Sequence, residues 1–323
     1  MVVKKEALLE LYTTMLTIRL FEDRIVDLYA RGEIPGLVHL YIGEEAVAAG
    51  ICAVLREDDY ITSTHRGHGH VIAKGADLRL MMAELFGKRS GYCKGKGGSM
   101  HIADMHIGIL GANGIAGGGL PIAVGAGWSA KWRGTDQVAT CFFGDDSSNN
   151  GTFHESLNLA SLHKLPVIFV CENNLYGISV CQTKHQPITD IAIRATSYDM
   201  PGVVVDGNDV LKVYQAAIKA AKRARVGEGP TLIECKTYRW RGHHEGDPNQ
   251  GNRYRTKDEI DQWKHKCPIE RFAKKLFEDK VVTKKKLAAI EKDVLVEIDA
   301  AVAFAREGEF PDVDELYQDV FVA

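Results

Sequence analysis

Apolar residues recur every three to four positions through the first third of the chain, and this spacing predicts amphipathic helices. One helix is expected over residues 4–32 and a second over 44–55, separated by the turn sequence RGEIPG. A third is expected within LRLMMAELFGK, where Gly87 is the predicted stop. Between the second and third helices, the sequence DYITSTHRGHGHVIAKG predicts a short strand that runs into a polar, glycine-rich loop.

Farther along, near-continuous apolar runs replace the helical spacing. Residues 137–144 and 165–173 read as strands buried on both faces, with a helix between them at about 152–163. A third strand is expected at 202–207, then a helix in VLKVYQAAIKAAKRARV and a fourth strand in GPTLIECKTYRW. This alternation predicts an α/β fold with a central parallel sheet flanked by helices.

Composition and charge limit the classes of function that are open to the chain. With 323 residues and 45% apolar content, the chain can bury a large core. A net charge of −3 argues against nucleic acid as the main partner. No apolar run approaches the roughly 20 residues of a membrane span. The cysteines include no CxxC pair, which favours reduced thiols. We therefore expect a soluble, cytoplasmic protein with no nucleic-acid or membrane partner.

The chain is expected to divide near Cys267, where the composition changes. Residues 1–267 are predicted to form the α/β domain, because they contain all the strand patterns. Residues 268–323 are highly charged and mostly helical in pattern, so we expect a helical C-terminal extension packed on the same domain.

Polar residues follow two neighbouring strands at the points where the strands end. Asp145 comes after the first buried strand, and Asn174 and Tyr176 come after the second. Ligands of such sheets bind beyond the carboxyl ends of the strands. Carboxylate, amide and carbonyl oxygens suit Mg²⁺, and the helix that starts near Gly151 would point its N-terminus toward a bound anion. An equal alternative from spacing alone is that Asp145 caps this helix and the asparagine pair makes a turn.

A histidine-rich loop, STHRGHGH, is a second candidate site. Arg66 suits a phosphate group through its fork of donors. The spacing of His65, His68 and His70 would also allow zinc binding, with Asp145 as a further ligand. The simplest alternative is a basic loop that only caps a strand.

Two further stretches have the composition of ligand-binding loops. The stretch from Gly87 to Gly127 is rich in glycine, which lets the backbone approach a ligand or makes a loop flexible. Within it, GAGWSA formally matches a dinucleotide fingerprint, but no strand pattern precedes it, so we set this match aside. The sequence TYRWRGHHEGDPNQGNRYR follows the last strand and contains Arg239, Arg241 and His243. Such loops are typical active-site lids, although a solvated loop has the same composition.

Together these stretches resemble the alpha subunit of the dehydrogenase component of 2-oxo acid and acetoin dehydrogenase complexes. The sequence GD, followed about thirty residues later by Asn174 in CENNLYGIS, is similar to the thiamine-diphosphate motif GDG…NN. The other matching stretches, which fall in the family's order, are VHLYIGEEAVAAG, STHRGHGH, GKGGSMHI, GANGIAGGGLP, HESLNLASLHKLPVIFVCENN and TYRWRGHHEGDP. The resemblance covers nearly the whole chain, and ITSTHRGHGHVIAKG with YRWRGHHEGD looks closer to acetoin dehydrogenase than to typical pyruvate dehydrogenase.

The resemblance implies a thiamine-diphosphate-binding fold with a defined cofactor site. The residues expected to bind the cofactor are Arg66, Gly114, Ala116, Asp145, Asp146, Ser147, Asn174, Arg239 and His243. Among them, Arg66 and Arg239 would hold the diphosphate. The side chains of Asp145 and Asn174 and the backbone carbonyl of Tyr176 would bind Mg²⁺.

The resemblance also implies which residues face the reacting end of the cofactor. His68 and His243 would be the catalytic residues there, with His243 on a mobile lid. Gly114 and Ala116 would offer their backbone to the aminopyrimidine. In eukaryotic relatives a regulatory serine follows the equivalent of His243, and His244 at this position excludes that phosphorylation.

The implied reaction is the cleavage of acetoin, or the decarboxylation of pyruvate or another 2-oxo acid. The remaining two-carbon unit passes to a lipoyl group on an acyltransferase component. In this family a glutamate of the beta subunit activates the cofactor. We therefore expect an α2β2 heterotetramer in which the alpha chain alone is inactive.

Asp146 departs from the family pattern, because it stands where the family has its second glycine. A carboxylate facing the diphosphate would repel it, whereas one that points away would cost little. The position could also require a positive φ, which Asp tolerates better than most residues. We expect weaker cofactor affinity than in Asp146→Gly. Two alternatives remain: a cofactor-weakened scaffold subunit, supported by Asp146 alone, and a metal hydrolase using His65, His68 and His70.

Overall fold

The computed structural model describes residues 3–321 and has an α/β architecture. Its strands are β1 (Tyr60–Thr62), β2 (Ala139–Gly144), β3 (Val167–Asn173), β4 (Tyr176–Gly177), β5 (Val180–Cys181), β6 (Gly202–Asp206) and β7 (Thr231–Lys236). Five of them form a parallel sheet in the order β1-β2-β3-β7-β6, and β4 and β5 form a separate antiparallel pair. The predicted α/β fold with a central parallel sheet is confirmed.

Helices cover both faces of this sheet. They are α1 (Lys5–Ala30), α2 (Glu45–Cys52), α3 (His68–Ala73), α4 (Leu78–Leu85), α5 (Gly119–Arg133), α6 (Gly151–Leu162), α7 (Gln182–His185), α8 (Val210–Arg225), α9 (Lys257–Lys264), α10 (Pro268–Glu278) and α11 (Lys284–Glu307). No helix between residues 3 and 321 combines the length and the apolar character needed to cross a membrane.

The apolar runs of β2 and β3 are long because alternate side chains enter two different cores. Phe142 and Val170 join the core that includes α1, α2 and α8. Phe143 and Phe169 point to the opposite face and join the core that includes α5 and α6. Successive residues of a strand face opposite sides of the sheet, so a strand covered on both sides needs an apolar residue at every position.

The parallel register brings the ends of three strands together. Gly144 of β2 pairs with Glu172 of β3, and Asn173 of β3 pairs with Lys236 of β7. The loops that leave these strands therefore start side by side at one edge of the sheet. This edge is where a parallel sheet binds its ligands.

Two local predictions differ from the structure. The loop predicted after β1 is partly helical, because His68–Ala73 form α3. The glycine-rich stretch contains the long helix α5, and GAGWSA lies inside that helix rather than in a strand-to-helix turn. A Cβ atom added to Gly127 would lie 2.6 Å from Val167 Cγ2, so glycine there lets α5 pack closely on β3.

The C-terminal extension is helical. Helix α11 packs against α1 and α4, and its buried Val294 and Ile298 join the same core as Phe21 of α1. The proposed division of the chain at residue 267 stays a prediction.

Candidate active site

A polar pocket opens at the carboxyl edge of the sheet, between the loops that follow β1, β2, β3 and β7. The predicted site residues that line it are Arg66, Ala116, Asp145, Asp146, Ser147, Asn174, Tyr176, Arg239 and His243. Gly114 does not line the pocket, although its neighbours Asn113 and Ile115 do. The topology thus gathers side chains that are far apart in the sequence around one cavity.

The pocket is lined by the three residues predicted to bind a metal, Asp145, Asn174 and Tyr176. Asp145 is 1% exposed, and its Oδ2 atom has no hydrogen-bond partner. His185 Nε2 lies 3.5 Å from that oxygen, outside regular hydrogen-bond geometry. Asn174 Nδ2 donates to Glu44 Oε1 at 3.3 Å. A buried carboxylate oxygen without a partner costs about 1–3 kcal/mol, and a bound cation would remove that cost.

The backbone around Tyr176 is strained. Leu175 has a φ of 73° and Ile178 has a φ of 51°, both in the left-handed region. Such conformations cost of order 1–3 kcal/mol each, and they persist only where the surroundings hold them. Leu175 N donates to Asn173 Oδ1 at 3.1 Å, and Arg239 Nη2 donates to the carbonyl of Ile178. The loop is therefore held in one shape beside the oxygen atoms.

Two buried arginines face the same pocket. Arg66 is 5% exposed and donates to the carbonyls of Leu40 and His243 at 2.8 and 3.0 Å. Arg239 is 1% exposed, and its Nε atom has no hydrogen-bond partner. Burial, and then the charge of Arg66, lower the pKa of Arg239 to about 10, so it stays protonated at pH 7. Two buried guanidinium groups beside each other favour the binding of an anion such as diphosphate.

A buried acid, Glu44, lines the pocket together with the arginines. Glu44 is 1% exposed, and its Oε1 atom is 3.8 Å from Arg66 Nε. Burial and the neighbouring Glu172 raise the pKa of Glu44 to about 8. Glu172 in turn accepts from the hydroxyl of Tyr41 and lies 2.9 Å from His70 Nε2. Sequence reasoning missed Glu44, whose only signal was its place in the matching stretch VHLYIGEEAVAAG.

The structure separates the histidines of STHRGHGH. Helix α3 turns His68 and His70 into the interior, where each is fully buried. His68 Nδ1 lies 2.9 Å from Glu22 Oε2 and its Nε2 lies 2.9 Å from Ser99 Oγ, so both ring nitrogens have partners. His68 does not line the pocket, and its predicted place at the reacting end stays a prediction. The three histidines also do not form the zinc site that their spacing allowed.

A different group of histidines meets beside the pocket, and two of its three members, His65 and His243, line it. The ring of His39 lies 4.7 Å from that of His65 and 4.9 Å from that of His243, centroid to centroid. Burial, and then the charge of Arg66, lower the pKa of all three imidazoles, in His65 to about 3. They are therefore neutral at pH 7. Sequence reasoning missed His39 because nothing in its spacing relates it to the strand ends.

The loop that carries His243 is ordered by a buried arginine. Arg255 is 3% exposed. Its guanidinium donates to three loop carbonyls, those of Arg239 at 2.7 Å, Arg241 at 2.7 Å and Gln250 at 3.2 Å. Asp247 accepts from the backbone N–H of His243 at 2.8 Å and from the hydroxyl of Tyr254 at 2.7 Å. These bonds fix where His243 lies.

Asp146 has an ordinary backbone. It begins a short 3-10 helix, Asp146–Asn149, and it has no positive φ, so the uncomfortable conformation that this position could have required does not occur. A Cβ atom added to Gly177 would lie 2.7 Å from Asp146 Cβ, and one added to Gly144 would lie 3.1 Å from Asp146 Oδ1. Burial, and then the charge of Asp145, raise the pKa of Asp146. Glycine at both neighbouring positions leaves room for this side chain.

The same 3-10 helix changes the expected role of α6. The 3-10 helix lies between β2 and α6, so the residues that follow β2 and line the pocket are Asp145, Asp146 and Ser147 and not the first residues of α6. Gly151, the first residue of α6, is exposed and does not line the pocket. The N-terminus of α6 therefore does not meet the site directly, contrary to the prediction.

Buried cations, an unpartnered carboxylate and neutral imidazoles at the carboxyl edge of a parallel sheet define a class of α/β enzyme that binds an anionic cofactor. Residues 13–314 match the family described as dehydrogenase E1 component. The chain belongs to this family, which confirms the resemblance seen in its motifs and implies thiamine diphosphate as the cofactor.

Characterised relatives include two alpha subunits of acetoin:2,6-dichlorophenolindophenol oxidoreductase. The chain is 53% identical over 320 residues to that of Bacillus subtilis (strain 168) and 47% identical over 320 residues to that of Cupriavidus necator. Each alignment covers 99% of the chain and 95% of the relative. The chain is also 41% identical over 324 residues to the pyruvate dehydrogenase E1 component subunit alpha of Porphyra purpurea, covering 98% of the chain and 93% of the relative.

Proposed function

We propose that this chain is the alpha subunit of a thiamine-diphosphate-dependent acetoin dehydrogenase. The observation that carries the proposal is the pocket in which the unpartnered Asp145 Oδ2 lies beside Asn174, facing the buried Arg66 and Arg239. The names of the Bacillus subtilis and Cupriavidus necator relatives support acetoin as the substrate. Pyruvate or another 2-oxo acid is the alternative, supported by the pyruvate dehydrogenase relatives.

The residues of the pocket fit the cofactor. Asp145, Asn174 and the carbonyl of Tyr176 would bind Mg²⁺, and a cation there would give Asp145 Oδ2 the partner that it lacks. Arg66 and Arg239 would hold the diphosphate. We keep Ala116, Ser147 and the backbone of Gly114 as further cofactor contacts. Bound thiamine diphosphate supplies a carbon that adds to a carbonyl group and accepts the electrons released when a carbon–carbon bond breaks.

His243 would serve as a hydrogen-bond donor to the substrate. Arg239 Nη1 lies 2.9 Å from His243 Nδ1. A guanidinium can only donate, so Nδ1 must accept, and the neutral ring carries its proton on Nε2. This N–H group is available to a substrate hydroxyl or carbonyl oxygen, and it can exchange a proton with that oxygen.

The charges of the pocket favour an uncharged substrate. A 2-oxo acid has a carboxylate that needs a cation, whereas both arginines of the pocket would be occupied by the diphosphate. The remaining basic groups beside the pocket, His39, His65 and His243, are neutral because burial lowers their pKa. Acetoin has only a hydroxyl and a carbonyl group, which neutral imidazoles can bind.

We also propose that the chain acts with a beta subunit in a cytoplasmic α2β2 heterotetramer and transfers the two-carbon unit to a lipoyl-bearing acyltransferase. The relatives are named as alpha subunits. Apolar side chains are exposed beside the pocket and on α5 and α6, with Ile115 74%, Trp132 86% and Leu162 71% exposed. Exposed apolar surface of this kind is typical of protein interfaces. All seven cysteines are free thiols, which fits a reducing compartment.

The test is a dye-reduction assay on the purified chain, alone and with its beta subunit. With thiamine diphosphate, Mg²⁺ and 2,6-dichlorophenolindophenol, we expect turnover of acetoin by the complex and none by the alpha chain alone. Faster turnover of pyruvate or a branched 2-oxo acid would overturn the acetoin assignment. A complex that binds the cofactor poorly and converts none of these substrates would favour the cofactor-weakened scaffold alternative.

A further inference from the structure

We propose that His39, His65 and His243 form a binding site for Zn²⁺ or a similar transition metal beside the pocket. One ring nitrogen of each histidine lies within 4.8 Å of the other two. Three imidazole nitrogens with an open fourth position are a common ligand set for zinc. This site differs from the Mg²⁺ site, which uses oxygen atoms, and its existence does not depend on the proposed function.

The three histidines reach one point from separate parts of the fold. His39 precedes α2, His65 follows β1, and His243 lies on the loop after β7. His39 is 4% exposed, and its Nδ1 atom has no hydrogen-bond partner. A buried nitrogen without a partner is costly, and a metal ion would accept its lone pair. The site is thus formed by convergence of three segments and not by a local motif.

The distances require only a small closure. Zinc–nitrogen bonds of about 2.0–2.1 Å in a tetrahedral site place ligand nitrogens roughly 3.4 Å apart. The nitrogens here lie up to 4.8 Å apart, so the rings would have to approach by somewhat more than 1 Å. Because hydrogen bonds hold the backbone of the loop that carries His243, this movement would have to come from rotation of the imidazole side chains.

The neutral state of the imidazoles favours metal binding at this site, whereas the nearby positive charges oppose it. The imidazoles are neutral at pH 7, because burial and the charge of Arg66 lower their pKa, so a metal does not compete with an imidazolium proton. His243 would bind the metal through Nε2 only after its proton moves to Nδ1, which gives up the hydrogen bond from Arg239. Arg66 and Arg239 repel a dication, so we expect weaker binding than at a structural zinc site. His244 lies near the cluster, with its ring 5.8 Å from that of His39, but only His39, His65 and His243 bring their nitrogens together.

Metal binding has a consequence that rests on the proposed function. His65 and His243 line the pocket. A metal ion between them would occupy the place where a substrate meets His243, so Zn²⁺ should inhibit turnover of acetoin. The binding test below uses no substrate, and its failure would therefore be distinct from a failure of the proposed function.

The test is metal binding by the purified full-length chain after treatment with a chelator. Equilibrium dialysis against Zn²⁺ should give one bound ion per chain. Titration with Co²⁺ should give the visible absorption bands of a nitrogen-ligated ion, and Zn²⁺ should displace them. His39→Gln and His65→Gln should each lower the affinity by at least about tenfold. His106→Gln is the matched control, because His106 is exposed and lies outside the cluster, and it should bind like wild type.

Two results would overturn the proposal. One is a wild-type chain that binds no Zn²⁺ or Co²⁺ above the level seen with both His39 and His65 replaced. The other is a His65→Gln variant that binds as tightly as wild type. Far-UV circular dichroism of each variant shows whether it is folded, and the Co²⁺ spectrum of the wild-type chain tests the ligand set without any substitution.

Discussion

The position of Asp146 can be tested by adding one methyl group beside it. In Gly177→Ala the new Cβ atom would lie 2.7 Å from Asp146 Cβ, 3.3 Å from its Cγ and 3.2 Å from its Oδ2. Gly177 does not have a left-handed φ, so alanine is tolerated by the backbone there and the clash is the main cost. Overpacking of this kind costs about 1–3 kcal/mol. Asp146 cannot easily withdraw, because its Cβ belongs to a residue within a 3-10 helix.

The clash should disappear when Asp146 is replaced by glycine. In the Asp146→Gly background, Gly177→Ala should cost close to nothing, so the double-mutant coupling energy should be about 1–3 kcal/mol. The assay is urea unfolding of the full chain followed by far-UV circular dichroism. Gly125→Ala is the control, because Gly125 lies in α5 with open space around its Cα, and its effect should be the same in both backgrounds. An equal cost of Gly177→Ala in both backgrounds would refute the placement of Asp146.

Three further substitutions test other contacts. Arg255→Met leaves three loop carbonyls without their donor, so thermolysin should cleave residues 241–254 faster than in the wild-type chain. Arg253→Gln, at an exposed position, is the control and should not change the rate of cleavage. Equal rates in the two variants would contradict the role of Arg255. His39→Gln should lessen the loss of stability on acidification. Burial lowers the pKa of His39 in the folded chain, so its stabilising effect is present above about pH 6.5 and is lost as the pH falls below that value. Urea unfolding at pH 7 and pH 5 should therefore show a smaller difference in the variant, and an equal difference would count against the neutral imidazole. Glu84→Gln should lower the free energy of unfolding by about 1–3 kcal/mol, because the carboxylate accepts from four backbone N–H groups of the glycine-rich loop. A thermal melt that matches Glu10→Gln, at an exposed position of α1, would contradict this.

The main strands of the fold were predictable because a strand that is buried on both faces of the sheet has an apolar residue at nearly every position. The apolar runs of β2 and β3 fill two cores, so nearly every position had to be apolar. That Asp145 and Asn174 line one pocket was then predictable, because parallel strands end at the same edge. Helix α5 escaped prediction, because its glycines lower helix propensity and tertiary packing on the sheet outweighs that cost.

The histidines were less predictable, because their direction depends on how elements rotate and meet. Nothing local distinguishes His65, which faces the pocket, from His68, which α3 turns toward Glu22. His39 joins the site only through the packing of its loop against the loops after β1 and β7. The sequence left the backbone of Asp146 open, and in the structure a 3-10 helix rather than a glycine-type turn follows β2.

We propose that Asp145 and Asn174 hold a metal ion through which this chain binds thiamine diphosphate beside Arg66 and Arg239. The decisive experiment is titration calorimetry of thiamine diphosphate into the complex of this chain with its beta subunit. We predict binding that requires Mg²⁺ and that Asp145→Asn weakens by roughly 10–100-fold, the effect of losing a charged contact worth about 1.5–3 kcal/mol. Asp293→Asn, at an exposed position of α11, should leave the affinity unchanged. Binding that is independent of Mg²⁺ and equally tight in Asp145→Asn would contradict the account.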